Sequence, residues 1–190
     1  MNPTCRPRRL PSRQRKIPPQ EEEFESLPAD VEYDRALDKA LKLLTVRSRS
    51  RSELGDRLGR AGFSGEVIEK VDARLNELGL VDDLAFAKEW ASQAIAGRGL
   101  SSQRIQRELA TRGVPEAVTE EALPYGPGGD FDRALGLARR RVLTYGGLPK
   151  PTAYRRLAGF LGQRGYEEDL IEEVCSRVLG DPEATETVGN

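Results

Sequence analysis

The stretch Arg51-Ser52-Glu53-Leu54-Gly55-Asp56-Arg57-Leu58-Gly59-Arg60-Ala61-Gly62-Phe63 decides the fold. Leu54 and Leu58 stand four residues apart, and Gly62 follows four residues later. An i, i+4 apolar pair closed by glycine is an amphipathic helix ending in a C′ glycine. The apolar residue after the glycine can pack back on the helix just ended. The pattern returns 51 residues on as Ile105, Leu109, Gly113 and Val114. It returns 52 residues beyond that as Leu157, Leu161, Gly165 and Tyr166. Three copies at a near-constant period mark a tandem array.

The flanking segments repeat too. Val67, Ile68, Val71 and Leu75 match Leu170, Ile171, Val174 and Val178, 103 residues on. The middle copy (Val118, Thr119, Ala122) is weaker and is cut short by Pro124. A preceding helix starts with Asp34-Arg35-Ala36-Leu37, Asp83-Leu84-Ala85-Phe86 and Asp132-Arg133-Ala134-Leu135, each 49 residues apart. An acid there suits the positive end of a helix. Ser50 and Glu53 have capping-box spacing, and Pro151 is placed like an N1 proline. The expected fold is therefore all-α, without β-sheet. Three tandem three-helix repeats form an extended helical array. Repeat one covers 31–80, repeat two 81–126 and repeat three 127–180, with Gly126-Pro127-Gly128-Gly129 as the internal linker. Units of about 50 residues bury little surface alone and should lean on their neighbours. Leu54, Leu58, Ile105, Leu109, Leu157 and Leu161 are the expected core, with Val67, Val71, Leu170 and Val174.

Composition narrows the chemistry. The 190 residues include no histidine, which excludes Ser-His-Asp triads, Cys-His dyads and histidine-bearing zinc sites. Cys5 and Cys175 are too few and too far apart for a disulfide scaffold, which suits a reducing cytoplasm. No apolar run approaches the ~20 residues of a membrane span, and the N-terminus has no apolar signal core. Gly126, Gly128 and Gly129 are not a phosphate loop, because no Gly-Lys-Ser/Thr follows. No catalytic, cofactor or metal site is expected.

Charge is distributed in blocks although the net is −1. Residues 1–20 carry six bases and no acid; residues 21–34 carry seven acids and no base. With six of the twelve prolines in its first 28 residues, the stretch 1–30 reads as a disordered charged tail, and 181–190 as a frayed end. From Arg133 to Arg164 there are eight bases and no acid, and Arg98, Arg104, Arg107 and Arg112 dominate the matching part of repeat two. The third helices are acidic: Glu66, Glu69, Asp72 and Glu77 in repeat one, Glu167, Glu168, Asp169, Glu172 and Glu173 in repeat three. Stacked in register, the array would carry a basic stripe and an acidic one. A basic stripe on a near-neutral protein fits a shaped polyanionic or mixed-charge partner. The plainer alternative is that basic helices pair with acidic ones inside the protein.

Several pieces in order resemble one family. They are Ala40-Leu41-Lys42-Leu43-Leu44, Arg51-Ser52-Glu53-Leu54, Gly79-Leu80-Val81-Asp82-Asp83-Leu84-Ala85-Phe86-Ala87, Trp90, Gly99, Arg104-Ile105, Glu108-Leu109 and Leu157 to Tyr166. Over 34–180 the chain resembles the RecX family of bacterial regulators of the RecA recombinase. The resemblance implies three tandem three-helix repeats and no catalytic site or cofactor. It implies binding to the RecA filament and to single-stranded DNA within it. Strand exchange, ATP hydrolysis and the SOS response would be restrained without chemistry. The other reading is a DNA-binding protein of helix-turn-helix-like units acting directly on DNA. A monomer without membrane contact is expected.

Candidate partner contacts are Arg104, Arg107, Arg139, Arg140, Arg141, Lys150, Arg155 and Arg156. Consecutive Arg139, Arg140 and Arg141 fan over ~200° of a helix and cannot share one surface. At least one should point to the side of Arg155 or Arg156. Asp82 and Asp83 read as an N-cap and a first-turn charge, and Phe86 and Trp90 as core. Cys175 reads as a packed thiol; Tyr145 and Tyr154 could touch a partner or simply pack.

Overall fold

The computed structural model describes residues 29–123 and 129–180. Residues 1–28 of the expected tail, the frayed end 181–190 and most of the glycine linker lie outside them, whereas Ala29 and Asp30, assigned to the tail, open the first helix. The chain forms α1 (Ala29–Val46), α2 (Arg51–Gly59) and α3 (Gly65–Glu77), then α4 (Asp83–Gln93), α5 (Ser102–Ala110) and α6 (Glu116–Ala122). Then follow α7 (Asp130–Val142), α8 (Lys150–Gly162) and α9 (Glu168–Leu179). A π turn (Ala94–Arg98) prolongs α4, and a 3-10 turn (Leu143–Tyr145) follows α7. No strand occurs among the described residues, and none of their helices is long and apolar enough to cross a membrane.

Each triplet encloses its own apolar cluster, and the leucine pairs decide where it lies. Leu54 and Leu58, Ile105 and Leu109, Leu157 and Leu161 are all buried, as expected. Val67, Val71 and Val174 join them, whereas Leu170 is only half-buried, lying in the first turn of the last helix. The first and third helices of each unit pack together: α1 on α3, α4 on α6, α7 on α9. Paired alanines at i, i+4 let them approach. Ala36 and Ala40, Ala87 and Ala91, Ala134 and Ala138 are all buried. Any larger side chain there would overfill the contact.

These alanines correct the register expected for the first helices. Aligning Asp34, Asp83 and Asp132 at 49 residues matches letters, but it sets buried Ala36 and Ala134 against exposed Ala85. Burial instead aligns Ala36 with Ala87 and Ala134. Helices α4 and α7 accordingly open at Asp83 and Asp130, and Asp34 lies inside α1, which opens at Ala29. Pro151 stands one position later than N1, since α8 opens at Lys150.

The units are locked together by one device used twice. Ser50 caps α2 by accepting from the Glu53 amide at 3.1 Å, and its hydroxyl donates to the Arg112 carbonyl at 2.5 Å. Beside it, the Arg51 amide donates to Asp83 at 2.9 Å. Ser101 repeats this: it accepts from the Arg104 amide at 3.2 Å and donates to the Gly165 carbonyl at 2.6 Å. The Ser102 amide donates to Asp130 at 2.9 Å. One serine thus satisfies an orphan amide at its own helix start and an orphan carbonyl at the end of the next unit's second helix. Gly113 and Gly165, at φ +70 and +86, make room; a Cβ on Gly165 would lie 2.7 Å from the Arg104 Cβ. The second joint is reinforced by the Tyr166 hydroxyl, which donates to the Gly99 carbonyl at 3.1 Å. Burial, with Asp130 nearby, pushes the pKa of that phenol up.

Candidate nucleic-acid interface

The first part of the candidate surface is built on α7 and α8. Arg139, Arg140 and Arg141 occupy the last turn of α7, where cations suit the negative end of the helix. The Arg141 guanidinium lies 5.1 Å from the Phe160 ring centre and 5.6 Å from that of Tyr145, whose hydroxyl accepts from its Nε. Arg164 covers Phe160 more closely, at 3.6 Å. Spacing of four along α8 puts Arg156 and Phe160 on one face, and Arg164, two residues past the end of the helix, folds back over the Phe160 ring. Arg141 is therefore drawn to the side that carries Arg156. Arg139, Arg140, Lys150, Arg155 and Arg156 are exposed and form no ion pair among the described residues.

Arg104 and Arg107 form a second group, on α5 by the joint with the third unit. Arg104 lies 3.7 Å from Glu108, and its stem packs under Gly165. Arg107 donates to Gln103 at 2.9 Å, and Gln103 donates across the joint to Glu167 at 3.3 Å. Gly165 follows the C-terminal end of α8, whereas Lys150 opens that helix; a 13-residue helix separates them by about 20 Å. Lys150 thus stands well apart from Arg104.

Part of the expected basic stripe is spent internally. Glu108 takes a two-pronged bond from Arg98 at 2.9 and 2.8 Å and accepts from the Trp90 indole at 3.3 Å. Arg98 holds the Glu108 carboxyl below its ordinary pKa, helped by Trp90 and Arg112 and against the burial that would raise it. Arg112 stacks on Trp90 at 3.6 Å and lies 3.8 Å from Glu53 of the first unit. Arg51 is bonded to Asp72, which raises its pKa. Helix spacing on the sequence could have suggested Arg104 with Glu108, but not the contacts of Arg98 or Arg112.

The plainer readings hold at the remaining positions. Asp82 caps α4 through the Leu84 and Ala85 amides at 2.8 and 3.0 Å. Trp90 is half-buried beside Phe86, with ring centres 6.2 Å apart, and Arg112 covers its ring. Tyr145 is buried and Tyr154 half-buried. Burial pushes the Cys175 thiol up to about 11. At pH 8 only about one thiol in a thousand would be thiolate. In a Cys5→Ser variant, alkylation at pH 8 should therefore be slow in the folded protein and fast in urea. The sign also fixes a stability trend. Between the unfolded pKa near 9 and the folded one, the unfolded chain binds fewer protons, so this thiol's contribution declines as pH rises. Rapid labelling of the folded protein would refute the packed-thiol reading.

Three joined three-helix units define a tandem helical-repeat protein. The descriptions "RecX, first three-helix domain", "second" and "third" match residues 36–75, 82–123 and 129–175. The chain is 40% identical to the regulatory protein RecX of Thermobifida fusca, over 80% of this chain and 82% of that protein. It is 34% identical to that of Amycolatopsis mediterranei, over 85% and 93%. The crystal structure of RecX from Lactobacillus salivarius superposes with a TM-score of 0.69 at 19% identity, covering 78% of this chain and 97% of that one. The chain belongs to the RecX family of regulatory proteins.

Proposed function

We propose that this protein binds the RecA filament on single-stranded DNA and restrains its strand exchange and ATP hydrolysis, moderating recombination and the SOS response. It does so in the cytoplasm, as a monomer and without a reaction of its own. The observation that carries the reading, beside family membership, is the group of exposed bases on α7 and α8 that form no ion pair among the described residues. Those bases meet DNA phosphates or acidic filament surface. The two serine joints hold the three units in a fixed relation, so one chain can bridge successive protomers. Bridging shifts filament states only by binding one state better than another. Inhibition then needs no catalysis.

The test is RecA-driven strand exchange and single-strand-dependent ATP hydrolysis with increasing amounts of this protein. Both should fall progressively. No effect at any ratio would remove the reading. Stripping RecA from the DNA separates it from a direct DNA-coating role, because binding should then weaken.

A further inference from the structure

Two charges in the third unit stand at the wrong ends of their helices. Lys150 opens α8, where the helix dipole presents its positive end. Asp181 follows Gly180, the residue that closes α9, where the dipole presents its negative end. Each placement is unfavourable for its own helix. The fold brings these two ends together, because α8 packs on α9. A Cβ on Gly180 would stand 3.6 Å from the Lys150 Nζ. The lysine amine thus sits where the chain leaves α9, and an anion at position 181 enters its neighbourhood.

The sequence that follows is acidic. Residues 181–190 hold Asp181, Glu183 and Glu186 and no base. Beside its point of departure lies the basic surface, where Lys150, Arg155 and Arg156 are exposed and form no ion pair among the described residues. Arg155 and Arg156 stand about 8–9 Å along α8 from Lys150. The stretch from Asp181 to Glu186 spans up to about 20 Å when extended. Its acids can therefore reach all three bases. The other acidic block, 21–34, leads into α1 of the first unit instead.

We propose that residues 181–190 fold back over the basic surface of α7 and α8 and shield it, their carboxylates holding Lys150, Arg155 and Arg156 until a phosphate backbone displaces them. The inference rests on the proposed phosphate role of that surface and adds a built-in competitor to it. Exposed ion pairs are individually weak. Tethering sets the effective concentration of these acids on the order of millimolar, so together they compete. A nucleic-acid strand carries more closely spaced charges and releases counterions on binding, which lets it displace the segment. Isolated anions of low charge gain too little to do so. The segment thereby raises the charge a ligand must carry to enter.

The experiment uses the full chain and compares wild type with Asp181→Asn/Glu183→Gln/Glu186→Gln. A control of equal charge change, Glu66→Gln/Glu69→Gln/Glu116→Gln, lies on α3 and α6 of the other units. Affinity for a naked single-stranded oligonucleotide is read by anisotropy at low and high salt. The segment variant should bind about 5- to 20-fold tighter than wild type at low salt and within about twofold of it at high salt, where screening removes the shield. The control should gain about twofold at most. Amide spectra supply a second readout: in wild type the signals from Lys150 to Arg156 should shift as salt rises, and in the segment variant they should not. Equal gains by variant and control would reduce the effect to net charge and overturn the inference. So would equal affinities of variant and wild type, when charge reversal at Arg140 and Arg155 weakens both. If that reversal weakens neither, the phosphate role of α7 and α8 falls and the inference with it. Shifts that appear only as protein concentration rises would put the segment on a second copy and overturn the contact within one chain.

Discussion

Reversing charge at Arg140 and Arg155 together is expected to weaken binding to the RecA–single-strand filament by roughly 30- to 100-fold, about 2–3 kcal/mol. Both side chains are exposed and neither has an ion-pair partner among the described residues, so the change breaks no internal contact. Each reversal removes an attraction and installs a repulsion, so the loss exceeds that of neutral substitutions. Naked single strands supply a second readout. Losing two phosphate contacts should flatten the salt dependence by about 1.4 in the slope of log K against log salt. Stability should fall only slightly, by about 0.3–1 kcal/mol, because a glutamate at position 140 opposes the dipole at the C-terminal end of α7. Anisotropy at two salt concentrations, with a melt of the double variant, covers these expectations. An unaffected double variant would make the α7–α8 surface a solvated face and no more.

What the sequence made legible follows from the range of each interaction. Leu54 and Leu58 lie one helical turn apart, so their burial and the Gly62 stop are written locally and repeated three times. The N-cap role of Ser50 is equally local, since its oxygen bonds an amide three residues on. Its second bond is not: the Arg112 carbonyl is 62 residues away, and nothing near Ser50 announces it. The acidic partners of the joints show how letter matching misleads. Asp83 and Asp132 look equivalent, yet Asp130 takes the position at the start of α5, because buried alanines and not acids set the helix register.

The arginines divide on the same principle. In α7 and α8, no acid lies between Arg133 and Arg164, so exposure of Arg139, Arg140, Arg155 and Arg156 could be anticipated. In repeat two, Glu108 lies among the bases and collects Arg98 and Arg104, and Arg112 is drawn onto Trp90. Which base an acid recruits depends on the π turn that carries Arg98 back over α5, and that turn leaves no periodic trace. Arg49 is the extreme case. A guanidinium in a polar connecting segment reads as solvated, yet Arg49 is only 6% exposed.

The joints themselves can be tested by asking the same substitution of two equivalent glycines. Gly62 and Gly165 both end the second helix of their unit with left-handed backbone, at φ +89 and +86. An alanine at Gly62 meets nothing within 4 Å among the described residues. Its expected cost is the backbone strain alone, about 1–2 kcal/mol. At Gly165 the same methyl would stand 2.7 Å from the Arg104 Cβ and 3.0 Å from the Ser101 Oγ. Neither atom is the far end of a flexible chain, so the units must part. That adds overpacking of about 1–3 kcal/mol. It also strains the Ser101 bonds to the Gly165 and Arg164 carbonyls, each worth about 1 kcal/mol. Gly165→Ala should therefore lose about 3–5 kcal/mol in urea unfolding against about 1–2 for Gly62→Ala. Its transition should also broaden as the third unit unfolds apart from the first two, since repeat arrays owe their cooperativity to nearest-neighbour contacts. Equal losses with equally sharp transitions would mean that the serine joint yields freely and does not fix the relation between units.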